Sequence, residues 1–387
     1  MFNGNIKKAL CFDDRITFLN NGSYGAVPLS VEEAQIDFFK SINKCPAIFM
    51  DEAGIEGIRE NLAAACELLD IRDVMENAAL VNNVTKGDVL ITTSMIYGCY
   101  TTLIDSICKK NRINHILVDI QLKDSVSDMI GKFKEAVSNI ANQKVFAFIE
   151  WIASASAKLY PVDEIIEVLH EKNCVVMIDG AHAPGQLPSS IISKVIKKSD
   201  VFIGDIHKWC FCVRGCAILV VNKANSKYFY PTIVSWYYKN DTPFIRFFNL
   251  GTEDTLSRYS VVAAKKFIES IGGPEDIFIY CNKAVCEIVS YIRFNIPGTV
   301  LAVDENTSAP FMRLISLPEA FNDCKKTRTL FATGSCDAVM RHFREIYKID
   351  LLFVIIEKKL FLRICASVYN SIEDAVSFVE AYFKYMN

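Results

Sequence analysis

The chain has 387 residues, of which 51% are hydrophobic and 22% are charged. That composition is typical of a folded globular protein and excludes intrinsic disorder. The formal net charge is −3, so no basic excess is available to neutralise phosphates, and we predict no nucleic-acid partner. No run of about 18 consecutive apolar residues is present, and the N-terminus lacks the apolar core of a secretory signal, so we predict no membrane partner.

Fourteen cysteines are scattered along the chain. They lie in apolar segments and lack the close spacing of a small disulfide-rich domain. A free cysteine behaves as a small buried hydrophobic residue, and thiols stay reduced in the cytosol. We therefore predict a cytoplasmic protein with unpaired cysteines.

Strand patterns alternate with helix patterns through the middle of the chain. The helix pattern at 162–169 places Val162, Ile165, Ile166 and Leu169 on one face. The predicted strands are 116–120, 145–151, 175–178, 201–203 and 217–221. Short apolar strands separated by helices are typical of a sheet covered on both faces. We predict an α/β fold with a mostly parallel sheet.

The pattern changes after about Gly273, where strands and helices no longer alternate strictly. The predicted elements there are helices at 274–291, 336–347 and 371–383 and strands at 312–315 and 360–364. Such an arrangement favours a smaller α+β domain. We predict a large domain at 30–285 and a small domain formed by 1–29 and 286–387.

Two short segments carry residue types suited to catalysis, and both directly follow a predicted buried strand. The first runs from Asp179 to His182, and the second contains His207, Lys208 and Trp209. Ligands of open α/β sheets bind outside the carboxyl ends of the strands. A lysine among His207 and Trp209 would be partly desolvated, which makes its amine a nucleophile toward carbonyl groups.

These residues match the needs of pyridoxal phosphate, which requires a lysine for its aldehyde, an acid against its pyridine nitrogen and donors for its phosphate. Lys208 supplies the amine and Asp179 the acid, and His182 lies three residues beyond Asp179 on the same loop. Taken singly, such an Asp more often caps a helix, such a Lys is solvated, and such a His packs in a core. Their combination favours the cofactor site.

Four further segments, in the same order, resemble the class V aminotransferase family. They are Phe18–Gly25, Gly251–Asp254, Ala309–Met312 and Arg363–Asn370. With the Asp179–His182 and His207-Lys208 motifs, they are most similar to the branch that contains isopenicillin N epimerases and hercynylcysteine sulfoxide lyases. The resemblance implies a fold-type I pyridoxal-phosphate protein with a large domain, a mostly parallel sheet and a small C-terminal α+β domain.

The resemblance also implies how the cofactor, pyridoxal 5'-phosphate, would be bound. Lys208 would hold it as a Schiff base and later move the α-proton of the substrate. Asp179 would pair with the pyridine nitrogen, His182 would contact the ring hydroxyl, and Tyr97 would stack on the ring. His207 would lie near the phosphate, Thr85 would contact the cofactor, and Thr252 would reach the phosphate of the neighbouring subunit's cofactor in a homodimer.

The substrate implied by the family is an amino acid. Arg363 would bind its α-carboxylate with its planar guanidinium fork. Asn21, Ser23 and Tyr24 of the N-terminal loop would complete the substrate site. The implied reaction is C–S cleavage or epimerisation, with transamination as a further alternative, because the cofactor makes all three accessible and pocket geometry selects among them.

The chain departs from the family most clearly after Thr85, which runs directly into Lys86-Gly87-Asp88. Family members have a helix there whose N-terminal amides bind the cofactor phosphate. The alternative is therefore a cofactor-weak or inactive member, such as a shortened isoform, retained as a dimeric scaffold. Asp205, Asn21 and Glu253 also replace the residues usual in the branch, which are Asn, His and Arg.

Three other functions are weighed against this one. His207, Cys210, Cys212 and Cys216 could bind zinc, but their spacing is not that of the usual knuckle, so we predict no metal. Neither of the glycine-rich nucleotide-binding motifs is present. A cysteine desulfurase is disfavoured because no cysteine lies on the segment just before Arg363.

Overall fold

The strands fall into three sheets in the computed structural model, which describes residues 4–13, 15–44, 54–81, 91–111, 113–138, 140, 145–248, 255–331, 336–357 and 359–387. They are β1 (Thr17–Phe18), β2 (Ala78–Val81), β3 (Ile91–Thr93), β4 (Ile116–Val118), β5 (Phe146–Glu150), β6 (Val175–Asp179), β7 (Val201–Asp205), β8 (Ala217–Val221), β9 (Val300–Leu301), β10 (Met312–Ser316), β11 (Ile349–Asp350), β12 (Leu352–Ile356) and β13 (Lys359–Cys365). The predicted strands therefore correspond to observed ones, with ends that agree or differ by one or two residues.

The helices occupy the connections between these strands. They are α1 (Gly4–Lys7), α2 (Asn21–Tyr24), α3 (Leu29–Lys44), α4 (Gly54–Leu68), α5 (Gly98–Asn111), α6 (Val126–Ser138), α7 (Val162–His170), α8 (Ser189–Lys198), α9 (Ile206–Trp209), α10 (Pro243–Phe248), α11 (Val261–Ser270), α12 (Gly273–Asn295), α13 (Glu319–Asp323), α14 (Lys325–Phe331), α15 (Asp337–His342) and α16 (Ile372–Met386). Within the part of the chain that the structure covers, no helix is both long and apolar enough to cross a bilayer.

The largest sheet has seven strands in the order β2-β8-β7-β6-β5-β3-β4. Strands β7, β6, β5, β3 and β4 pair in parallel, whereas β8 pairs antiparallel with β7 and β2. The reversal at β8 has a simple cause, since the connection at 206–216 is shorter than a parallel crossover needs. The predicted α/β class with a mostly parallel sheet is confirmed.

The C-terminal third forms a second sheet in the order β12-β13-β10-β9, with all pairs antiparallel. Its core includes Ile288 of α12, Leu362 of β13 and Phe378 of α16, together with Leu19 from the N-terminal segment. Helix α12 runs through the predicted boundary at 285, with Ile277 in the core of the large sheet and Ile288 in the second core. The division into 30–285 and 1–29 with 286–387 stays a prediction.

Two local expectations differ from the structure. The helix predicted at 336–347 is α15 followed by a π-helical turn, Phe343–Tyr347, which ends at Lys348 with a φ of 61°. The sequence at 360–364 has an alternating pattern, which predicts a strand with one exposed face, but β13 is buried from Leu360 to Cys365. Both of its faces are covered, because Leu362 packs in the second core while Arg363 and Cys365 face the large domain.

Candidate active site

The chemically important side chains gather where β5, β6 and β7 end. These strands are parallel, and the register places Glu150 of β5 beside Asp179 of β6, and Asp179 beside Ile203 of β7. Strand β7 continues directly into the short helix α9, which carries Lys208. The carboxyl ends of parallel strands share one edge of the sheet, so two distant motifs of the sequence meet at that edge.

Asp179 is a buried carboxyl group with a defined set of donors. The residue is only 6% exposed, and its Oδ1 accepts a 2.9 Å hydrogen bond from the Ala181 backbone N–H. The Tyr100 hydroxyl lies near this carboxylate and favours its ionised form. Burial raises the pKa of Asp179 to about 6, while the Ala181 amide and the nearby Lys208 ammonium oppose that rise. Asp179 is therefore ionised at neutral pH.

Lys208 makes an ion pair with Asp205, the last residue of β7. Lys208 Nζ lies 2.8 Å from Asp205 Oδ2, and the lysine side chain is 15% exposed while that of Asp205 is 1% exposed. Neither oxygen of Asp205 receives a hydrogen bond of regular geometry from the residues resolved around it, so the ion pair is what compensates the buried charge. The amine is partly desolvated, as the sequence predicts, and it can be approached from solvent.

The His182 ring is neutral and its tautomer follows from its neighbours. The Trp209 Nε1–H can only donate, and it lies 3.4 Å from His182 Nδ1. The proton is therefore on Nε2, which lies 3.3 Å from Ser154 Oγ. Burial and the nearby Lys208 and Arg363 charges lower the pKa of His182 well below its usual value. His182 is a hydrogen-bond donor without charge.

His207, predicted to lie near the cofactor phosphate, is fixed by a backbone contact. Its Nδ1 donates to the Cys216 carbonyl oxygen over 2.8 Å, and its Nε2 lies 4.0 Å from Asp205 Oδ2. The N-terminal loop packs tightly behind it, since a side chain at Gly25, where φ is 69°, would collide with the His207 carbonyl oxygen. Only glycine allows that close approach.

Arg363 is almost fully buried, with 1% of the residue exposed. Its guanidinium donates to the Ser154 carbonyl oxygen (2.5 Å), to Asn20 Oδ1 (3.1 Å) and to Ser23 Oγ (2.9 Å). Its Nε has no hydrogen-bond partner among the residues placed around it. The guanidinium plane is thus held in a fixed orientation with one donor to spare.

The other predicted substrate residues lie on the same N-terminal loop. Asn21 Nδ2 donates to the Lys208 carbonyl oxygen over 2.8 Å and Asn21 Oδ1 accepts from the Tyr369 hydroxyl, so Asn21 joins the loop to α9. Ser23 contacts Arg363, whereas the Tyr24 ring is 55% exposed. The structure thus brings Asn21 and Ser23 to the site and leaves Tyr24 at its rim.

The remaining predicted cofactor contacts are those of Tyr97, Thr85 and Thr252. The Tyr97 ring is 53% exposed, and its nearest aromatic neighbour is Tyr100, whose ring centroid is 6.1 Å away in an edge-on arrangement. Its backbone N–H donates to Glu150 Oε1 over 2.9 Å, which anchors this segment at the edge of the sheet. Thr85, with the shortened connection that follows it, and Thr252 lie outside the described residues.

Sequence reasoning did not single out Glu150, Tyr100, Ser154 or Asn20. Glu150 could have been found, because an acid that ends an apolar strand next to β6 must lie at the same edge as Asp179. It is 3% exposed, and its Oε2 has no partner in the region that the structure covers. Ser154 and Asn20 carry no such signal, since only the tertiary fold brings them to Arg363.

The zinc alternative requires cysteines near α9 that are buried thiols here. Burial raises the pKa of the Cys210 thiol to about 12 and raises the pKa of Cys212 well above its usual value. His207 uses Nδ1 on a carbonyl oxygen. Among the residues described, no group of His, Cys, Asp and Glu is arranged to ligate a metal.

The side chains at this edge fit pyridoxal phosphate. An ionised buried carboxylate suits a protonated pyridine nitrogen, and a neutral His182 suits a ring hydroxyl. A lysine amine is within reach of the same pocket, and Glu150 Oε2 and Arg363 Nε are buried polar atoms without partners. Buried polar atoms are normally satisfied, so these atoms indicate a site that a polar ligand completes.

Comparisons with known proteins agree with this geometry. A family model described as Cys/Met metabolism PLP-dependent enzyme matches residues 72–195. The chain is 22% identical to the L-cysteine desulfhydrase-like protein lolT1 of Epichloe uncinata, over 95% of this chain and 92% of that protein. It is 25% identical to the hercynylcysteine sulfoxide lyase of Schizosaccharomyces pombe, over 74% of this chain and 77% of that protein.

A solved structure shares the fold along the whole chain. It is the complex between the cystine C–S lyase C-DES and its reaction product cysteine persulfide, with a TM-score of 0.74 and 15% identity over 97% of this chain and 98% of that one. These matches give no support to an inactive scaffold. The chain is a pyridoxal-phosphate-dependent enzyme, class V aminotransferase-like in sequence and of fold type I.

Proposed function

We propose that this enzyme is a C–S lyase that acts on a small sulfur-containing amino acid at the pocket around Lys208. The observation that carries the proposal is that Lys208, paired with Asp205, and the buried Asp179 carboxyl lie at the same edge of the sheet, where β6 and β7 end. Relatives named as cysteine desulfhydrase-like protein and hercynylcysteine sulfoxide lyase support C–S cleavage over epimerisation.

Pyridoxal phosphate, when bound, supplies an electron-accepting ring that stabilises negative charge at the α-carbon of an amino acid. Lys208 is the residue that would hold its aldehyde and then carry a proton between the substrate carbon and solvent. Asp179, ionised at neutral pH, would keep the ring nitrogen protonated. His182 would donate its Nε2–H to the ring hydroxyl, in place of its long contact with Ser154.

Substrate binding is assigned to Arg363. Its guanidinium is oriented by Ser154, Asn20 and Ser23, and its Nε–H is unused. A substrate carboxylate would accept from that Nε–H, and a second, parallel charge-assisted bond would form if it displaced Ser23 from the adjacent terminal nitrogen. His207 and Tyr97 would complete the cofactor site, with Asn21 and Ser23 at the substrate side and Tyr24 at the rim.

We also propose a homodimer in the cytoplasm. An apolar surface formed by Ile233, Val234 and Trp236 supports the dimer, since these residues are 53%, 74% and 91% exposed. Cysteines throughout the described ranges are free thiols, which suits a reducing compartment. Sedimentation of the purified protein tests the dimer, and a monomer at micromolar concentration would contradict it.

The test of the activity starts from the wild-type protein supplied with pyridoxal phosphate. Visible absorbance of the bound cofactor, followed by borohydride reduction and peptide mapping, should place the label on Lys208. Incubation with L-cysteine should then release sulfide and pyruvate. Appearance of the D-amino acid without sulfide would replace the lyase by an epimerase, and a label on another lysine would overturn the site.

A further inference from the structure

Glu150 is a second buried carboxyl group beside Asp179, and the proposed lyase reaction gives it no role. It ends β5, its register partner across the parallel pair is Asp179, and the residue is 3% exposed. A negative charge on both of these neighbouring buried carboxyl groups would carry a large electrostatic cost. That cost favours a proton on one member of the pair.

The two oxygens of Glu150 have different surroundings. Oε1 accepts the Tyr97 backbone N–H over 2.9 Å, just before α5 begins at Gly98. Oε2 is buried and has no partner within the described part of the chain. A carboxylate would leave a charged oxygen without a donor, whereas a carboxylic acid places its O–H at that atom, ready for an acceptor on a ligand.

The donors around the pair decide which group is charged. Asp179 receives the Ala181 N–H and has the Tyr100 hydroxyl nearby, whereas among the described residues Glu150 receives only the Tyr97 N–H. The Lys208 charge favours the ionised form of both groups. Burial raises the pKa of Glu150 well above its usual value, and the negative charge of Asp179 adds to this rise. Besides Asp179 on β6 and Lys208 on α9, the titratable groups that interact with Glu150 are Cys99 and Tyr100 on α5 and Tyr160.

We propose that Glu150 is a positioning residue held as a neutral carboxylic acid. Through Oε1 it fixes the Tyr97 segment at the mouth of the pocket, and through its Oε2–H it offers a donor to the bound cofactor or amino acid. Its neutrality leaves Asp179 as the charged member of the pair. The role toward a ligand rests on the proposed function, but the proton on Glu150 is a property of the chain alone.

Infrared spectroscopy of the cofactor-free protein tests the proton directly. A protonated carboxyl has a C=O band distinct from that of a carboxylate, and exposed acids lose that band near their ordinary pKa values of about 4. We expect one band to persist at pH 8 in the wild type and to vanish in Glu150→Gln. The exposed control Glu171→Gln should keep it. A wild-type spectrum without this band at pH 8 would refute the proposal, whether or not a variant folds.

Cofactor binding tests the positioning role through a second readout. Glutamine can replace a neutral acid, so Glu150→Gln should bind pyridoxal phosphate within about threefold of wild type and show the same pH midpoint of cofactor absorbance. Glu150→Leu leaves the Tyr97 N–H unsatisfied and should bind about tenfold more weakly.

The opposite result has a clear meaning. If Glu150 is ionised, Glu150→Gln removes an anion next to Asp179, and the midpoint moves to lower pH. If neither the wild type nor any variant binds the cofactor, the proposed function fails. The infrared spectrum of the cofactor-free chain still tests the proton on Glu150 in that case.

Discussion

Lys158 and Lys208 are both largely removed from solvent, and their surroundings differ. Lys158 is fully buried, and its ammonium donates to the Leu122 carbonyl (3.1 Å), the Asp124 carbonyl (2.7 Å) and Thr307 Oγ1 (3.3 Å). Lys208 has one close partner, the Asp205 carboxylate, and keeps 15% of its side chain exposed.

The difference separates a structural lysine from a reactive one. All three N–H donors of Lys158 are used on neutral oxygens, so the amine joins the large domain to the segment at Thr307 and has no free position. The Lys208 amine has donors to spare and an open approach. Burial alone therefore does not mark a functional lysine, whereas burial combined with incomplete hydrogen bonding does.

The distinction between a structural Lys158 and a reactive Lys208 would be wrong if Lys208→Ala stays active. We expect this variant to lose the covalent cofactor label and all sulfide release, because Lys208 is the lysine that would hold the aldehyde. The matched control is Lys172→Ala, which removes an exposed lysine and should be indistinguishable from wild type. Peptide mapping after borohydride reduction and a sulfide assay measure both properties.

Lys158→Met should have the reverse effect. It leaves three buried oxygens without donors and should lower the free energy of unfolding by about 2 kcal/mol. Urea unfolding monitored by circular dichroism measures the loss. The cofactor label on Lys208 should remain, so a Lys158→Met protein that is stable but cannot be labelled would make Lys158 the functional lysine.

Asp205→Asn tests how the ion pair affects the reactivity of Lys208. The ion pair with Asp205 occupies the Lys208 amine, which must leave that contact to attack an aldehyde. Removing the charge should speed the covalent capture of pyridoxal phosphate about tenfold at pH 7. Stopped-flow absorbance follows the reaction. Slower capture in the variant would show that Asp205 assists the lysine instead of restraining it.

The smallest effect is a pH dependence that belongs to Lys158. Burial lowers the pKa of this lysine from 10.5 to about 8. Between those values the unfolded chain binds the proton more tightly, so the contribution of Lys158 to stability rises as pH increases from 8 to 10.5 and is lost as pH falls. The stability difference between wild type and Lys158→Met should therefore grow from pH 8 to pH 10. If the urea midpoints of wild type and Lys158→Met change in parallel between pH 8 and pH 10, a lowered pKa of Lys158 is ruled out.

Much of the large domain and the centre of its site were predictable from local sequence. Asp179 and Lys208 each follow an apolar strand, and the edge at which parallel strands end is set by strand direction, so their meeting follows from two short segments. The antiparallel direction of β8 was not predicted, because it depends on the length of the connection at 206–216. The buried face of Arg363 was also missed, because β13 pairs and packs with elements far away in the chain.

The sequence by itself determined the sheet class, the apolar strands and the residue types that suit pyridoxal phosphate, since these depend on side-chain periodicity and on motifs a few residues long. Only the tertiary structure decided that Glu150 lies beside Asp179, that Asp205 neutralises Lys208, and that Ser154 reaches Arg363 across 209 positions of the chain. Those contacts arise from strand order and domain packing, whose energies are sums over many distant residues and leave no local pattern to read.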